Sequence, residues 1–419
     1  MQSTYHNSIF PKDLVKEVGK KAHAYRLKIE KVQKSGIFER SESSLCIAGD
    51  VAYQKDIKKR LAKFTHTKHV ILVAIGGSMQ GVQAVYDACV TKDVPRFNIV
   101  DSIEEKYIED MERIISNTND ARGVVLVVVS KSGSTTETML NALHIIGLWE
   151  KKFGDAFLDQ IIFIGNEGTT FLEIAAKKGI LYFTLPHSIG GRFSVFTAVG
   201  IVPLTLLGMN IPQLLKGALD AVKPDSLTNI EESAVTLALH TYSGVHTVNF
   251  FSFNRRLRSC GLWYRQLLAE STGKSITKAG TPFMHQLLPI VSTSADLHSI
   301  AELYLGGYTG IYTHFIYYTE RTNVRLPQTH WMLEYLPFLK SRKPSAVKDI
   351  ITEGVLHAYN DQMLPYRYTK FKKFAEYEVG LLLASLMAEV MYIGYLFNID
   401  TFDQPSVEFY KKYVRAELS

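Results

Sequence analysis

The run Gly123-Val-Val-Leu-Val-Val-Val129 is apolar at every position after its glycine. A strand with one wet face alternates polar and apolar side chains, whereas one covered on both faces does not. The run therefore predicts a buried strand of a parallel sheet. Ser130-Lys-Ser-Gly-Ser-Thr-Thr-Glu-Thr138 follows at once, then Met139-Leu-Asn-Ala-Leu-His-Ile-Ile146 with apolar positions at helical spacing. Strand, turn and helix in that order aim the free N–H groups of the helix start, and the positive end of its dipole, at one spot. Such a spot suits an anion. A single hydroxyl there is an ordinary helix cap and a single glycine an ordinary turn. A cluster of hydroxyls with Lys131 and Gly133 favours a phosphate site instead.

The same texture runs through the chain. Candidate strands lie at 70–74, 97–100, 124–129, 161–164 and 181–184, with crossover helices at 80–89 and 103–116 between them. After a helix-like segment at 196–208 and a connection near 210–212, a second alternation begins. Its strands are expected at 246–251, 287–291, 313–318 and 366–368, and its helices at 257–271, 297–306 and 345–362. Residues 1–40 read as a polar lead followed by an amphipathic helix through Leu14, Val18, Ala22, Tyr25, Ile29 and Val32. Segment 319–344 reads as a long irregular excursion, and 376–397 as the last long helix. The fold class expected is α/β, with two successive doubly wound parallel-sheet domains of Rossmann-like type and flanking helices at both ends. The expected divisions are an N-terminal helical arm at 1–39, domains at 40–209 and 210–398, and a C-terminal tail helix at 399–419. A chain of 419 residues is long enough for two cores. The two units share no residue-level repeat.

Composition narrows the function classes. No run of about 18 uncharged apolar residues is present, so no membrane span is expected, and the N-terminus lacks the pattern of a signal peptide. The expected location is cytoplasmic. Cys46, Cys89 and Cys260 are too few and scattered for a disulfide framework or thiolate metal site, and are expected to be buried apolar groups. The net charge of +6 is spread over 47 basic and 41 acidic residues with no basic, aromatic-interleaved stripe, which argues against nucleic acid. His66 and His69 have loose metal spacing but no neighbouring carboxylate, so no metal is expected there.

Five further stretches carry residue types suited to chemistry. Ile75-Gly-Gly-Ser78 places two glycines after a strand, where backbone can approach a ligand and Ser78 can donate to it. No G-x-G-x-x-G completes a dinucleotide motif, so a simple phosphate is favoured over a nucleotide. Gly190-Gly-Arg-Phe-Ser194 gives Arg192 room to face an anion or oxyanion; equally, Arg192 reads as a surface residue in a turn. Trp263-Tyr-Arg-Gln-Leu-Leu-Ala-Glu-Ser-Thr-Gly-Lys274 reads as a helix end, with Glu270 opposing the dipole in the last turn and Gln266 one turn earlier on the same face. Pairing of Glu270 with Lys274 is the bland alternative. Asp296-Leu-His-Ser299 places His298 near a helix start, where a lone histidine is more often structural than catalytic. Phe402-Asp-Gln-Pro-Ser-Val-Glu-Phe-Tyr-Lys411 restarts a helix after Pro405, from which Gln404 and Lys411 can reach back to the sheet edge.

Taken in order, Ile-Gly-Gly-Ser, Ser-Lys-Ser-Gly-Ser-Thr-x-Glu-Thr, Gly-Gly-Arg-Phe-Ser-Val, Gln-x-x-x-Glu-Ser-x-Gly-Lys, Asp-x-His-Ser and Phe-Asp-Gln-x-x-Val-Glu-x-x-Lys resemble the glucose-6-phosphate isomerase, or phosphoglucose isomerase, family in its compact bacterial form. The resemblance runs from about residue 70 to about residue 412. It implies two sugar-isomerase domains and interconversion of glucose 6-phosphate and fructose 6-phosphate, in glycolysis and gluconeogenesis, with no cofactor. It implies that Gly77, Ser78, Ser130, Ser132 and Thr135 hold the phosphate, that Lys131 sits beside the sugar, and that Gln266 and Gln404 place the substrate. By the same resemblance Glu270 moves the proton between C2 and C1, Arg192 faces the enediolate, and His298 and Lys411 open the ring, with Glu137 orienting His298. In the family the histidine comes from the partner subunit, so a homodimer with shared sites is implied.

The chain departs from the family pattern at Ser134, where Thr is usual, at Met79-Gln80 after Gly-Gly-Ser, and at Glu302, where Gln is common. Two other readings share the phosphate loop: a non-catalytic sensor of sugar phosphates, and an isomerase acting on mannose or amino-sugar phosphates. A sensor has no use for a base, so Glu270, His298 and Arg192 argue for catalysis.

Overall fold

The computed structural model describes residues 2–91, 94–319, 324 and 327–418. Among the described residues, ten strands form two five-stranded sheets. The first contains β2 (His69–Val73), β3 (Arg96–Val100), β4 (Val124–Val129), β5 (Ile161–Gly165) and β6 (Leu181–Thr184), in the order β3-β2-β4-β5-β6 and parallel throughout. Every residue of β2, β4 and β5 is buried, as the unbroken valine run requires of a central strand. The second contains β1 (Gln2–His6), β7 (Thr247–Ser252), β8 (Leu288–Thr293), β9 (Ile311–Tyr318) and β10 (Tyr366–Phe371), in the order β8-β7-β9-β10-β1. Leaving β1 aside and numbering strands by entry into their own sheet, each series runs second, first, third, fourth. The two halves therefore repeat one winding without repeating residues.

The fifth place distinguishes them. In the first sheet it is the parallel β6; in the second it is β1, antiparallel to β10, with Ser3 opposite Thr369 and Tyr5 opposite Arg367. The polar lead expected at the N-terminus is thus an edge strand. Its polarity misleads because Ser3 bonds Thr369 across the pair (2.8 Å), and Ser8 just beyond the strand bonds His240 (2.8 Å).

One core fills the space between the sheets. It takes Val70, Leu72, Val125 and Val127 from the first, and Val248, Phe250, Tyr312 and Ile316 from the second. Through it runs the helix Glu376–Leu396, with 18 of its 21 residues buried. By length and composition this helix is apolar enough to cross a membrane, yet 94% of its most apolar window is enclosed by protein. Its Glu389 meets Arg367 of β10 and accepts from Tyr264 (3.2 Å), so a buried ion pair ties the core helix to the second sheet and a hydrogen bond ties it to the helix Arg258–Thr272. The outer face of each sheet carries its own smaller cluster, so both sheets are covered on both sides. The helix Lys12–Ser35 buries Val18, Ala22, Tyr25, Ile29 and Val32, the face its spacing predicts, against helices Pro224–Tyr242 and Glu376–Leu396.

Three expectations need correction. The helix expected over 297–306 is a 3-10 turn, Ser294–His298, followed by a short helix, Ala301–Leu305. The Asp296 side chain caps the start of the turn by accepting from the N–H of Thr293 (2.7 Å), and its carbonyl closes the turn by accepting from the N–H groups of Ser299 (3.2 Å) and Ile300 (3.0 Å). The connection expected near 210–212 is itself a helix start, Ile211–Ala221, capped by Asn210, whose side chain accepts from Gln213 N–H (3.2 Å). The excursion expected over 319–344 holds a short helix, Met332–Tyr335, and a 3-10 turn, Pro337–Leu339; residues 320–323, 325 and 326 of it lie outside the described residues.

Candidate active site

The first sheet reverses its winding between β2 and β4, which leaves a crevice at their carboxyl ends. Two helices start there. Gly77–Cys89 follows β2 and Thr136–Phe153 follows β4, and neither N-cap side chain accepts a hydrogen bond from its helix. After β4 the first-turn N–H groups of Thr136, Glu137 and Thr138 are left to meet something else; after β2 Ser78 and Met79 already donate to the carbonyls of Ile75 (3.3 Å) and Gly76 (3.1 Å), which leaves the N–H of Gly77. Around the second, Ser130 Oγ lies 3.1 Å from Thr135 Oγ1, and Ser134 Oγ donates to Ser132 Oγ (2.9 Å). Gly133, at φ +66°, makes the turn in the left-handed region that glycine tolerates. Ser130 is buried, Ser132 and Ser134 are exposed, and Thr135 and Ser78 are half-buried. The result is a hydroxyl-lined cradle open on one side.

The glycine pair has a second use. A Cβ on Gly77 would sit 2.5 Å from the carbonyl carbon of Gly191 and 2.7 Å from Cα of Arg192. Only glycine lets the loop after β6 lie against the helix start after β2. Lys131 closes the same gap from the cradle, donating to the carbonyls of His187 (3.1 Å) and Ile189 (3.3 Å). Burial, with Arg192 nearby, lowers the pKa of its ammonium from the ordinary lysine value.

Arg192 is buried, which removes the reading of it as a surface residue. Nε donates to Ser271 Oγ (3.1 Å); Nη1 donates to Glu270 Oε2 (3.1 Å) and Gln404 Oε1 (3.3 Å); Nη2 donates to the carbonyls of Thr401 (2.6 Å) and Asp403 (3.1 Å). Burial lowers the guanidinium pKa, and the Glu270 carboxylate opposes that shift. An Arg so enclosed keeps its charge because each of its three nitrogens meets an acceptor.

Glu270 lies two residues before the end of Arg258–Thr272. Its side chain is 30% exposed, against 3% for Arg192, so the carboxylate is the accessible end of the pair. Gln266, one helical turn back, donates Nε2 to Glu270 Oε1 (2.7 Å), while its own Oε1 is buried without a hydrogen-bond partner. Lys274 does not pair with Glu270. Its ammonium donates to Asp403, at both the carbonyl (2.6 Å) and Oδ1 (2.7 Å).

The structure thus brings together Arg192, Gln266, Glu270 and Gln404, with Lys131 and the hydroxyl cradle on the same sheet edge. Three expected residues stand apart. His298 is exposed at the end of the 3-10 turn after β8, Glu137 is half-buried in the first turn of Thr136–Phe153, and Lys411 pairs with Glu408 of its own helix, Glu408–Leu418 (2.9 Å). Among the described residues no hydrogen bond joins any of them to the Arg192 network, nor Glu137 to His298. Ser271, Thr401 and Asp403 were missed. Ser271 and Asp403 lie inside quoted motifs beside residues with assigned roles, whereas Thr401 acts through its carbonyl, which side-chain identity does not signal.

The remaining candidates are structural. His69 bonds Asn98 Oδ1 (2.5 Å) within the sheet, and among the described residues no group of three or more His, Cys, Asp or Glu gathers in metal-binding geometry. All three cysteines are free, and burial pushes Cys46 and Cys260 up to about 12.

Comparison with solved structures places the fold. A hypothetical protein from Thermus thermophilus superposes with a TM-score of 0.84 over the full length of both chains at 22% identity. A glucose-6-phosphate isomerase from Chlamydia trachomatis gives 0.79 at 18% identity over 99% of this chain and 88% of that one. In sequence, the glucose-6-phosphate isomerase of Clostridium tetani is 30% identical over 88% of this chain and 85% of its own length, and that of Methanocaldococcus jannaschii is 28% identical over 90% and 91%. Residues 58–418 match the sequence model of phosphoglucose isomerase, and the chain belongs to that family.

Proposed function

We propose that this enzyme interconverts glucose 6-phosphate and fructose 6-phosphate, a step of glycolysis and gluconeogenesis, in the cytoplasm. The observation that carries the reading is the half-open Glu270 carboxylate, 3.1 Å from a buried guanidinium, on the same sheet edge as two uncapped helix starts. A proton beside a carbonyl is weakly acidic, so a base must be held next to it and the oxygen that gains charge must meet a cation. Glu270 removes the proton from C2 of the open-chain aldose and returns it to C1, while the hydroxyl proton passes from O2 to O1. The enediolate between these steps faces Arg192. Neither transfer calls on a metal or an organic cofactor.

The phosphate is assigned to Ser78, Ser130, Ser132 and Thr135 with the backbone at Gly77. Held there, away from the reacting carbons, it contributes binding energy that aligns them. Gln266 and Gln404 flank Glu270 and Arg192 and set the sugar against them, with Lys131 at the boundary between sugar and phosphate. Ring opening is assigned to His298 and Lys411, with Glu137 orienting the histidine. An exposed His298 fits a residue delivered to another subunit's site. The exposed Trp331, Tyr335 and Phe338 offer an apolar surface for a second copy, which supports a homodimer. The deciding experiment incubates the purified chain with fructose 6-phosphate and assays glucose 6-phosphate. Formation at equilibrium ratio is expected, and phosphate binding without conversion would leave only a sensor.

A further inference from the structure

The Thr401-Phe-Asp-Gln404 segment supplies three of the five acceptors around Arg192: two backbone carbonyls and the Gln404 amide oxygen. The position of the guanidinium therefore depends on what holds this segment, which follows the core helix Glu376–Leu396 and belongs to neither sheet. At one end Thr401 is buried against Gly394, where any side chain would collide with the threonine hydroxyl. Phe402 packs its ring 5.3 Å from that of Phe193, next to Arg192. At the other end the ionic hold is Lys274, whose side chain is 8% exposed. Its ammonium bonds the same Asp403 carbonyl that Arg192 uses, and bonds the Asp403 carboxylate as well.

We propose that Lys274 is a positioning residue for the isomerisation. Clamped onto Asp403 from just beyond the helix that carries Glu270, it fixes the segment whose two carbonyls aim Arg192 at Glu270. It touches no substrate. A cation sharing a carbonyl with a second cation is electrostatically unfavourable, and the Asp403 carboxylate offsets this by lying 2.7 Å from the ammonium. The arrangement links base and guanidinium: Glu270 and Lys274 leave one helix end four residues apart, and each grips one side of the Arg192 cage.

The inference rests on the isomerase reading, and the test separates the two. Lys274→Met, Lys274→Arg and Asp403→Asn are compared with wild type for kcat and KM, and for affinity toward two phosphorylated substrate-like probes. One is a hydroxamate that mimics the enediolate; the other is a polyol phosphate with no anionic head. For Lys274→Met, kcat falls by about 10-fold or more with KM nearly unchanged, the pattern of an interaction realised in the transition state. Hydroxamate affinity falls alike, while polyol phosphate affinity holds. Lys274→Arg restores most of the turnover because it can still bridge both oxygens. Asp403→Asn loses less than Lys274→Met because the carbonyl that Arg192 uses is backbone. A Lys274→Met enzyme with wild-type kcat and hydroxamate affinity overturns the proposal, as does equal loss of affinity for both probes, which marks general loosening. An inactive wild type would instead remove the isomerase reading itself.

Discussion

Replacing Glu270 by Gln separates chemistry from architecture at this site, because the structure lets the amide fit. Glu270 accepts from Arg192 Nη1 at 3.1 Å and from Gln266 Nε2 at 2.7 Å. An amide keeps one acceptor oxygen, which stays with Arg192, and turns its NH2 toward Gln266. Two NH2 groups would then meet, but Gln266 can rotate its own amide and offer Oε1, which is otherwise buried and unpaired. The count of hydrogen bonds is preserved, and what is lost is their charge assistance. The cost in stability is therefore about 1 kcal/mol, the scale of a single net hydrogen bond. The catalytic cost is larger: an amide cannot take a proton from carbon, and loss of a general base lowers turnover by about 10² to 10⁴. At about 1.36 kcal/mol per decade that is roughly 3 to 5 kcal/mol of barrier. Turnover is followed with fructose 6-phosphate and an enzyme-coupled readout of glucose 6-phosphate, and stability by urea unfolding of the same preparations. A Gln variant within about tenfold of wild-type kcat would refute the assignment of Glu270 as the base. A variant that unfolds several kcal/mol more easily would refute the amide-rotation argument.

Three further outcomes follow from other contacts. Arg192→Lys has at most three donors for five acceptors; we expect kcat to drop by about 10² and urea stability to fall by about 1 to 3 kcal/mol from stranded carbonyls, and a change in KM alone would assign Arg192 to binding. Arg367→Met leaves Glu389 buried beside Ser233 and Tyr264 without its cation, which should cost about 3 to 5 kcal/mol in urea unfolding. Burial pulls His240 from 6.5 down to about 4, so the unfolded chain binds its proton first. Stability from this residue is present above about 6.5 and lost as the pH falls toward 4, by up to about 3 kcal/mol. The stability difference between pH 7 and pH 4.5 should accordingly be smaller in His240→Gln than in wild type, and equal differences would show that His240 is not held neutral.

The parts legible in the sequence are those that neighbours along the chain decide. Nine of the ten strands, the uncapped helix start after β4 and the placing of Gln266 one turn from Glu270 follow from side-chain period, a glycine turn and a helix stop within a few residues. Of the five residues that bond Arg192, the family resemblance named Glu270 and Gln404, which lie in contiguous motifs, and left out Ser271, Thr401 and Asp403. Tertiary structure decided the rest. β1 pairs with a strand more than 360 residues away, and its polar side chains give no apolar alternation to find. Whether Arg192 faced solvent or an enclosed cage depended on Ser271, Thr401 and Asp403, which winding alone brings within bonding distance. Lys274 sits four residues from Glu270 yet bonds Asp403, 129 positions on. Local spacing fixes which groups can meet along one element, but a buried charge takes the partners that the packing of distant elements supplies.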